Sequence, residues 1–293
     1  MISRYQLFCI MLLSRISSVI VCPSTGGFGF GDISAAATAE LIWLLISLPV
    51  LIYSYNGNAF FTAIRKKLRF FGCVIAFAAA FAMSYIAVRN VIFTGEFAQR
   101  TVMGGMSGAV LAILLGIFSV YSALKSSEAI ARSASLFLTA AAVVTVVIII
   151  ADIPSIRLRD IPAAQLDESF PDDVWEHFQR GGEYLIFAAL LPYTKQCSGG
   201  TALIYTASSI IVTTLLSLFG LSVLGEFSSI TEYPFASAAQ LADIALFKRL
   251  DGLCAAVWSL ASGMKSGALL FSSYAAINAV LPSKDISSER SAA

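Results

Sequence analysis

The sequence predicts an all-α, polytopic membrane bundle of about eight transmembrane elements. Two observations carry this. The 293-residue chain is 58% hydrophobic and only 13% charged, with a mean hydropathy of +0.82, whereas soluble domains carry about 25% charged residues. Its apolar residues also gather into runs that approach or exceed the ~20 residues a helix needs to cross a hydrocarbon core of about 30 Å. A formal net charge of +1 provides no basic field for nucleic acid. No zinc-finger spacing and no phosphate-binding loop occurs. The five cysteines (Cys9, Cys22, Cys73, Cys197 and Cys254) lie mostly in apolar runs. They read as small core residues rather than a disulfide framework or a metal site, and no cofactor is expected.

The elements follow in order. The first is residues 5–22, ahead of the glycine-rich "CPSTGGFGFGD". With Arg15 inside its apolar run and no small-x-small site after it, this reads as a membrane element and not a cleaved leader. The second is 34–54, the third 69–93, the fourth 104–124 and the fifth 129–151; together they form the first half of the domain, about 5–151. A polar stretch, 152–180, reads as an outer loop. A short sixth element and a seventh at 201–224 follow. The moderately apolar "GEFSSITEYPFASAAQLADIALFKR" reads as a re-entrant or interfacial helix. The eighth element is 250–281, and 282–293 is a polar tail. Ala, Gly and Ser enrich these spans, as close helix packing in lipid requires.

Basic residues orient the bundle. Arg65, Lys66, Lys67 and Arg69 join elements two and three, Lys125 and Arg132 flank the next turn on that side, and Lys195 lies between six and seven. All three loops fall on one side, which the positive-inside rule makes cytoplasmic, together with both chain ends.

Four charges stand within membrane elements: Arg15, Arg89, Glu183 and Lys265. A central charge costs at least about 2.5–3.5 kcal/mol on insertion scales, so each is expected to face the interior and find a partner. Arg15 and Glu183 are the expected pair, joining elements one and six, with a ligand- or proton-sensing role as the alternative. Arg89 lies toward the outer end of its helix. Lys265 sits among Ser262, Gly263, Ser266 and Gly267, which leave room for another helix or a ligand; a proton-relay or cation-mimicking role is open to it.

The sixth element, "GGEYLIFAALLPYTK" from Gly181 to Lys195, is too short to span. Its apolar part is about eleven residues, roughly 16 Å at 1.5 Å per residue. Such half-helices in membranes line cavities, because irregular backbone facing lipid is not tolerated. A half-helix N-terminus carries partial positive charge and suits a carboxylate. Ser14, Ser17 and Ser18 near "SRISSVIVCP" suggest a second interruption in element one. Two interrupted elements, the first and the sixth, are the mark of an inverted-repeat transporter.

Five stretches in order carry a resemblance: "QLFCIMLLSRISSVIVCP", Arg89 with "TGEF" after it, "GGEYLIFAALLPYTK", "VLGEFSSITEYPFASAAQLADIALFKRLDGL" and "VWSLASGMKSGALLF". On these the chain resembles the spore germination permease family, the membrane-embedded B subunits of germinant receptors, within the amino acid–polyamine–organocation superfamily. The resemblance implies a LeuT-like inverted-repeat core of ten helices, of which this chain would lack the last two, leaving the second repeat, 181–281, incomplete. It implies an inner spore membrane location, beside an A-type membrane subunit and a lipoprotein subunit, and a central site for an amino acid or similar small germinant. Arg15, Ile16, Ser17 and Ser18 would line that site from helix one and Gly182, Glu183 and Tyr184 from helix six, with Tyr85 and Trp258 as neighbours. Ile16 stands where the family has glycine, and "PDDVWEHFQR" before Gly181 is more polar than an outer half of helix six.

Three other functions compete. A proton- or sodium-coupled amino acid transporter shares the fold. A ligand-free structural subunit is the second. An intramembrane serine protease is suggested by "GMSG" at Gly105–Gly108, but its chemistry needs a histidine base from another membrane helix. The sole histidine, His177, reads as lying in the outer loop. Gly104, Gly105, Ser107 and Gly108 read instead as helix-packing residues, and the chain as no enzyme.

Overall fold

The computed structural model describes residues 1–23, 29–55, 60–101, 105–156, 170–195, 199–242 and 250–281. The predicted tail 282–293, Cys197, Gly104 and part of the glycine-rich linker lie outside these residues. The described chain is helical almost throughout. Its helices are α1 (Arg4–Val21), α2 (Phe30–Tyr55), α3 (Phe60–Leu68), α4 (Phe70–Thr101), α5 (Gly108–Ala123), α6 (Ser127–Asp152), α7 (Phe170–Arg180), α8 (Glu183–Leu190), α9 (Gly199–Leu224), α10 (Pro234–Leu241) and α11 (Asp251–Val280). Among the described residues six helices are long and apolar enough to cross a membrane: α1, α2, α4, α6, α9 and α11. The expected eight elements therefore resolve into these six, the shorter α5, and the broken pair α7–α8.

Local chemistry explains the ends. α1 opens with a capping box: Ser3 Oγ accepts from Gln6 N at 3.2 Å, and Gln6 Oε1 accepts from Ser3 N at 2.9 Å, satisfying two otherwise orphaned donors. Ser126 caps α6 by accepting from Ala129 N at 3.3 Å. α3 and α4 form a tight turn in which Arg69 takes a positive φ of 43°. A side chain at Gly72 would strike the Ile64 carbonyl oxygen at 2.7 Å, so glycine lets α4 start flush against α3. The basic residues Arg65, Lys66 and Lys67 thus ride on a short helix rather than in a loop.

Four expectations change. α1 runs unbroken from Arg4 to Val21. The Ser14, Ser17 and Ser18 hydroxyls donate to carbonyls of their own helix, Ile10 O at 2.7 Å and Ser14 O at 3.0 and 3.1 Å. With isoleucine at position 16, and the Cys22 amide still donating to Ser18 O at 3.1 Å, nothing opens the ladder. The third element does not stop at residue 93; α4 continues to Thr101, about 48 Å in all, because polar Glu96, Gln99 and Arg100 do not themselves break a helix. The fourth is shorter than 104–124: α5 starts at Gly108. Finally, 152–180 is not all loop. Its last part folds as α7, an amphipathic helix with Asp172 and Asp173 in the first turn and His177 and Arg180 in the last, the polarity the helix dipole favours.

The long helix α11 is the centre of the bundle and buries most of its length against α4, α5, α6, α1 and α8. Its small residues permit this. A methyl at Gly263 would meet Phe118 at 2.7 Å, and one at Gly267 would meet Ser122 at 2.8 Å. Of the two tenants anticipated beside Lys265, at these two glycines it is another helix, α5. α10, the segment expected to be re-entrant or interfacial, buries Phe235, Ala236, Ala238 and Ala239.

One end of the bundle collects the basic turns. Ile2 exchanges backbone bonds with Tyr193 and Lys195, both at 2.9 Å. The N-terminal ammonium lies 3.7 Å from Glu128, and Arg65 Nη1 donates to Leu281 O at 2.9 Å. A pocket lined by Phe61, Tyr193 and Asn278 joins these pieces.

Candidate functional site

α7 and α8 are two halves of one interrupted element. Gly181 and Gly182 separate them, and the reason for glycine at 181 is spatial. A methyl there would fall 2.3 Å from Trp43 Nε1, which donates to Phe178 O at 2.9 Å and stacks on the Phe178 ring at 4.6 Å.

The backbone groups freed by the break need partners, and side chains supply them. Gly182 N donates to Glu183 Oε2 at 2.9 Å. Lys265, from the middle of α11, donates from Nζ to Arg180 O at 3.0 Å, to Glu183 Oε1 at 3.2 Å, and to Ser18 Oγ on α1. Lys265 and Glu183 are each 1% exposed. The ammonium therefore sits between the carbonyl end of α7 and the acid that opens α8, where both helix dipoles favour the charge they meet.

A second buried ion pair lies beside it. Arg15 Nε is 3.0 Å from Glu40 Oε1, though off the line of a hydrogen bond, and Arg15 Nη2 donates to Ala36 O at 3.2 Å. Ser209 and Tyr205 of α9 donate to the same Glu40 oxygen at 2.6 and 3.2 Å. Tyr184 bonds Thr206 at 2.6 Å and packs edge-on against Tyr205. Two cations and two carboxylates thus join six helices: α1, α2, α7, α8, α9 and α11. The expected Arg15–Glu183 pair is replaced by Arg15–Glu40 and Lys265–Glu183. Arg15 and Ser18 lie one turn apart on α1, and each is engaged by a different neighbour.

The first half-helix, α7, is tied down separately. His177 Nε2 lies 2.9 Å from Asp32 Oδ1, Arg180 donates to Pro23 O at 2.5 Å and to Glu176, and Arg89 donates to Gln179 Oε1. His177 is buried rather than exposed in a loop. Ser107 stands at the exposed start of α5, while His177 is engaged by Asp32. Gly108 does pack closely, its amide donating to Gln99 Oε1 at 2.8 Å, whereas among the described residues a methyl at Gly105 would meet nothing within 4 Å.

Of the residues named from sequence, Arg15, Ser18, Gly182, Glu183, Tyr184 and Lys265 come together. Ser17 and Ile16 are buried in α1. Trp258 is buried in α11, its Nε1 without a hydrogen-bond partner among the described residues. Tyr85 is 54% exposed, on the face of α4 that also carries exposed Phe81 and Val88, so it stands outside the cluster. Sequence reasoning passed over Glu40, although it falls inside the second predicted run and counts as an intramembrane charge by the same rule. It also passed over Asp32, at the end of the glycine-rich stretch, Gln179 and Arg180, hidden by the reading of 152–180 as a loop, and Asn90. The amide of Asn90 donates to Ser262 O, Ser262 Oγ and Ser266 Oγ at 2.8–3.0 Å, locking α4 to α11.

Between α4, α7 and α11 a cleft of about 230 Å³, counting its open mouth, is lined by Ser18, Arg89, Asn90, Gln179 and Lys265. Its enclosed part is about 10 Å³, about one water. The break is therefore closed around its own side chains. No protein-family model matches the chain, and no curated protein matches it in sequence. Fold and site together define an all-α helical bundle, with long apolar helices that fit a multi-pass membrane protein, organised around a broken helix and two buried ion pairs.

Proposed function

We propose that this chain is the membrane-embedded subunit of a spore nutrient-germinant receptor, built on a transporter-type inverted-repeat core with its basic end toward the cytoplasm. A small germinant, an amino acid or close relative, binds beside the interrupted helix and shifts the bundle between two conformations. A-type and lipoprotein subunits pass that shift on. The observation that carries this reading is the break at Gly181–Gly182 with Lys265 between its two halves. Interrupted helices in a bundle interior are where transporters bind small polar solutes. The basic turns gathered at one end support the orientation. A ligand biases such a switch only as far as it prefers one state.

The sodium-coupled reading is weakened by the same lysine, because the carbonyl end of α7 already holds a tethered cation. Deleting the gene in its spore-forming host and scoring germination against an amino-acid panel tests the proposal. A lost response to one or a few nutrients is expected. Unchanged germination on every nutrient, with concentrative uptake by the protein in proteoliposomes, would establish the transporter instead.

A further inference from the structure

We propose that Arg89 takes the carboxylate of the ligand, in the cleft between α4, α7 and α11, and that Asn90 beside it takes the ligand's ammonium. This rests on the small-ligand reading above and narrows it to α-amino acids bound carboxylate-first to α4.

The charge inventory around the break singles Arg89 out. Lys265 holds Glu183, Arg15 holds Glu40, and Arg180 holds Glu176. Among the described residues Arg89 meets only neutral groups, the Gln179 side-chain oxygen and the face of Phe93 with its guanidinium carbon 5.1 Å from the ring centre. A guanidinium offers five donors in a planar fork suited to a carboxylate, and most of these are free. The usual alternative, the N-terminus of a half-helix, is blocked here. The Gly182 amide is already capped by Glu183, and a ligand carboxylate there would face that acid.

Asn90 supplies an independent indication. It is 4% exposed and lines the same cleft, yet its Oδ1 has no hydrogen-bond partner among the described residues, while its amide nitrogen is fully used by Ser262 and Ser266. A buried carbonyl without a donor costs free energy that a ligand ammonium would recover. Adjacent residues lining one cleft thus hold, among the described residues, a cation without a carboxylate and an acceptor without a donor, matching the adjacent carboxylate and ammonium of an α-amino acid.

The cleft has room for about one water as it stands, and the Gln179 oxygen that lines it already occupies Arg89. A carboxylate arriving at Arg89 displaces the Gln179 oxygen and frees the contact between α4 and α7. Binding and lifting of α7 are then one linked step.

The test uses the full-length protein in detergent or nanodiscs. Binding of the twenty L-amino acids, and of the amide and the decarboxylated amine of each binder, is measured by calorimetry and thermal shift. We expect the acid to bind about tenfold or more tightly than its amide, as loss of a charged hydrogen bond implies. Arg89→Gln should erase that preference, and Gln179→Ala should tighten acid binding by removing the internal competitor. Equal binding of acid and amide, or Arg89→Gln and Gln179→Ala both binding the acid as wild type does, would overturn the assignment and leave the receptor reading standing. Should no acid, amide or amine bind a well-folded wild-type protein, both fall.

Discussion

Lys265 Nζ lies 3.0 Å from the main-chain oxygen of Arg180 and 3.2 Å from Glu183 Oε1, spanning the break between α7 and α8. One side chain thus satisfies the carbonyl end of one half-helix and neutralises the acid that opens the next. Removing it should leave a buried carboxylate and an orphaned carbonyl.

Lys265→Met is expected to destabilise the protein by about 3–5 kcal/mol, the usual cost of breaking a buried pair from one side. The double variant Lys265→Met/Glu183→Gln should recover much of that, because no uncompensated charge remains. Denaturant unfolding in micelles measures both. A double variant no more stable than Lys265→Met would show that the Arg180 carbonyl, rather than Glu183, dominates.

Arg15 is paired with Glu40 and not with Glu183. A double-mutant cycle on Arg15→Met and Glu40→Gln should return a coupling of about 1 kcal/mol or more, and one on Arg15→Met and Glu183→Gln a smaller value. The reverse order would restore the pairing expected from sequence alone.

The class of the fold was legible because hydropathy is a sum over many residues, and elements one, five, seven and eight fall within two residues of α1, α6, α9 and α11. Charges in apolar runs pointed to Arg15, Glu183 and Lys265 for the same energetic reason. Pairing was not legible. It depends on which helices touch, and Glu40 reaches Arg15 only because α2 packs on α9 and α9 on α1. α7 was missed because its polar composition resembles a loop; its apolar residues, Trp175 and Phe178, became informative only once Trp43 was seen stacked on Phe178. The interruption expected in element one at Ser14, Ser17 and Ser18 did not form, and isoleucine at position 16 was the one residue that weighed against it.

Gly181→Ala should be poorly tolerated. Its methyl would lie 2.3 Å from Trp43 Nε1, whereas a methyl at Gly182 would meet only the ends of Ile86 and Leu269 at 3.3 Å. Overpacking of the first kind costs about 1–3 kcal/mol. Gly181→Ala should therefore lower the melting temperature clearly more than Gly182→Ala. Equal effects would mean that the break is set by backbone conformation and not by the tryptophan.

α7 should open independently of α8. It is held by a few discrete anchors, His177 on Asp32 at 2.9 Å, the Trp43 indole on Phe178 O at 2.9 Å, and Arg180 on Pro23 O at 2.5 Å, with Trp175 58% exposed. Nearly every residue of α8, by contrast, is buried. Segments with few buried contacts open at lower free energy, so amides in 170–180 should exchange faster with deuterium than those in 183–190. Trp43→Phe keeps an aromatic ring on Phe178 but removes the indole donor. It should accelerate exchange in α7 severalfold while leaving α8 protected, measured by mass spectrometry of peptides on either side of Gly181. Were α8 to lose protection in step with α7, the two halves would be one cooperative rod, and the glycine pair would not be a hinge.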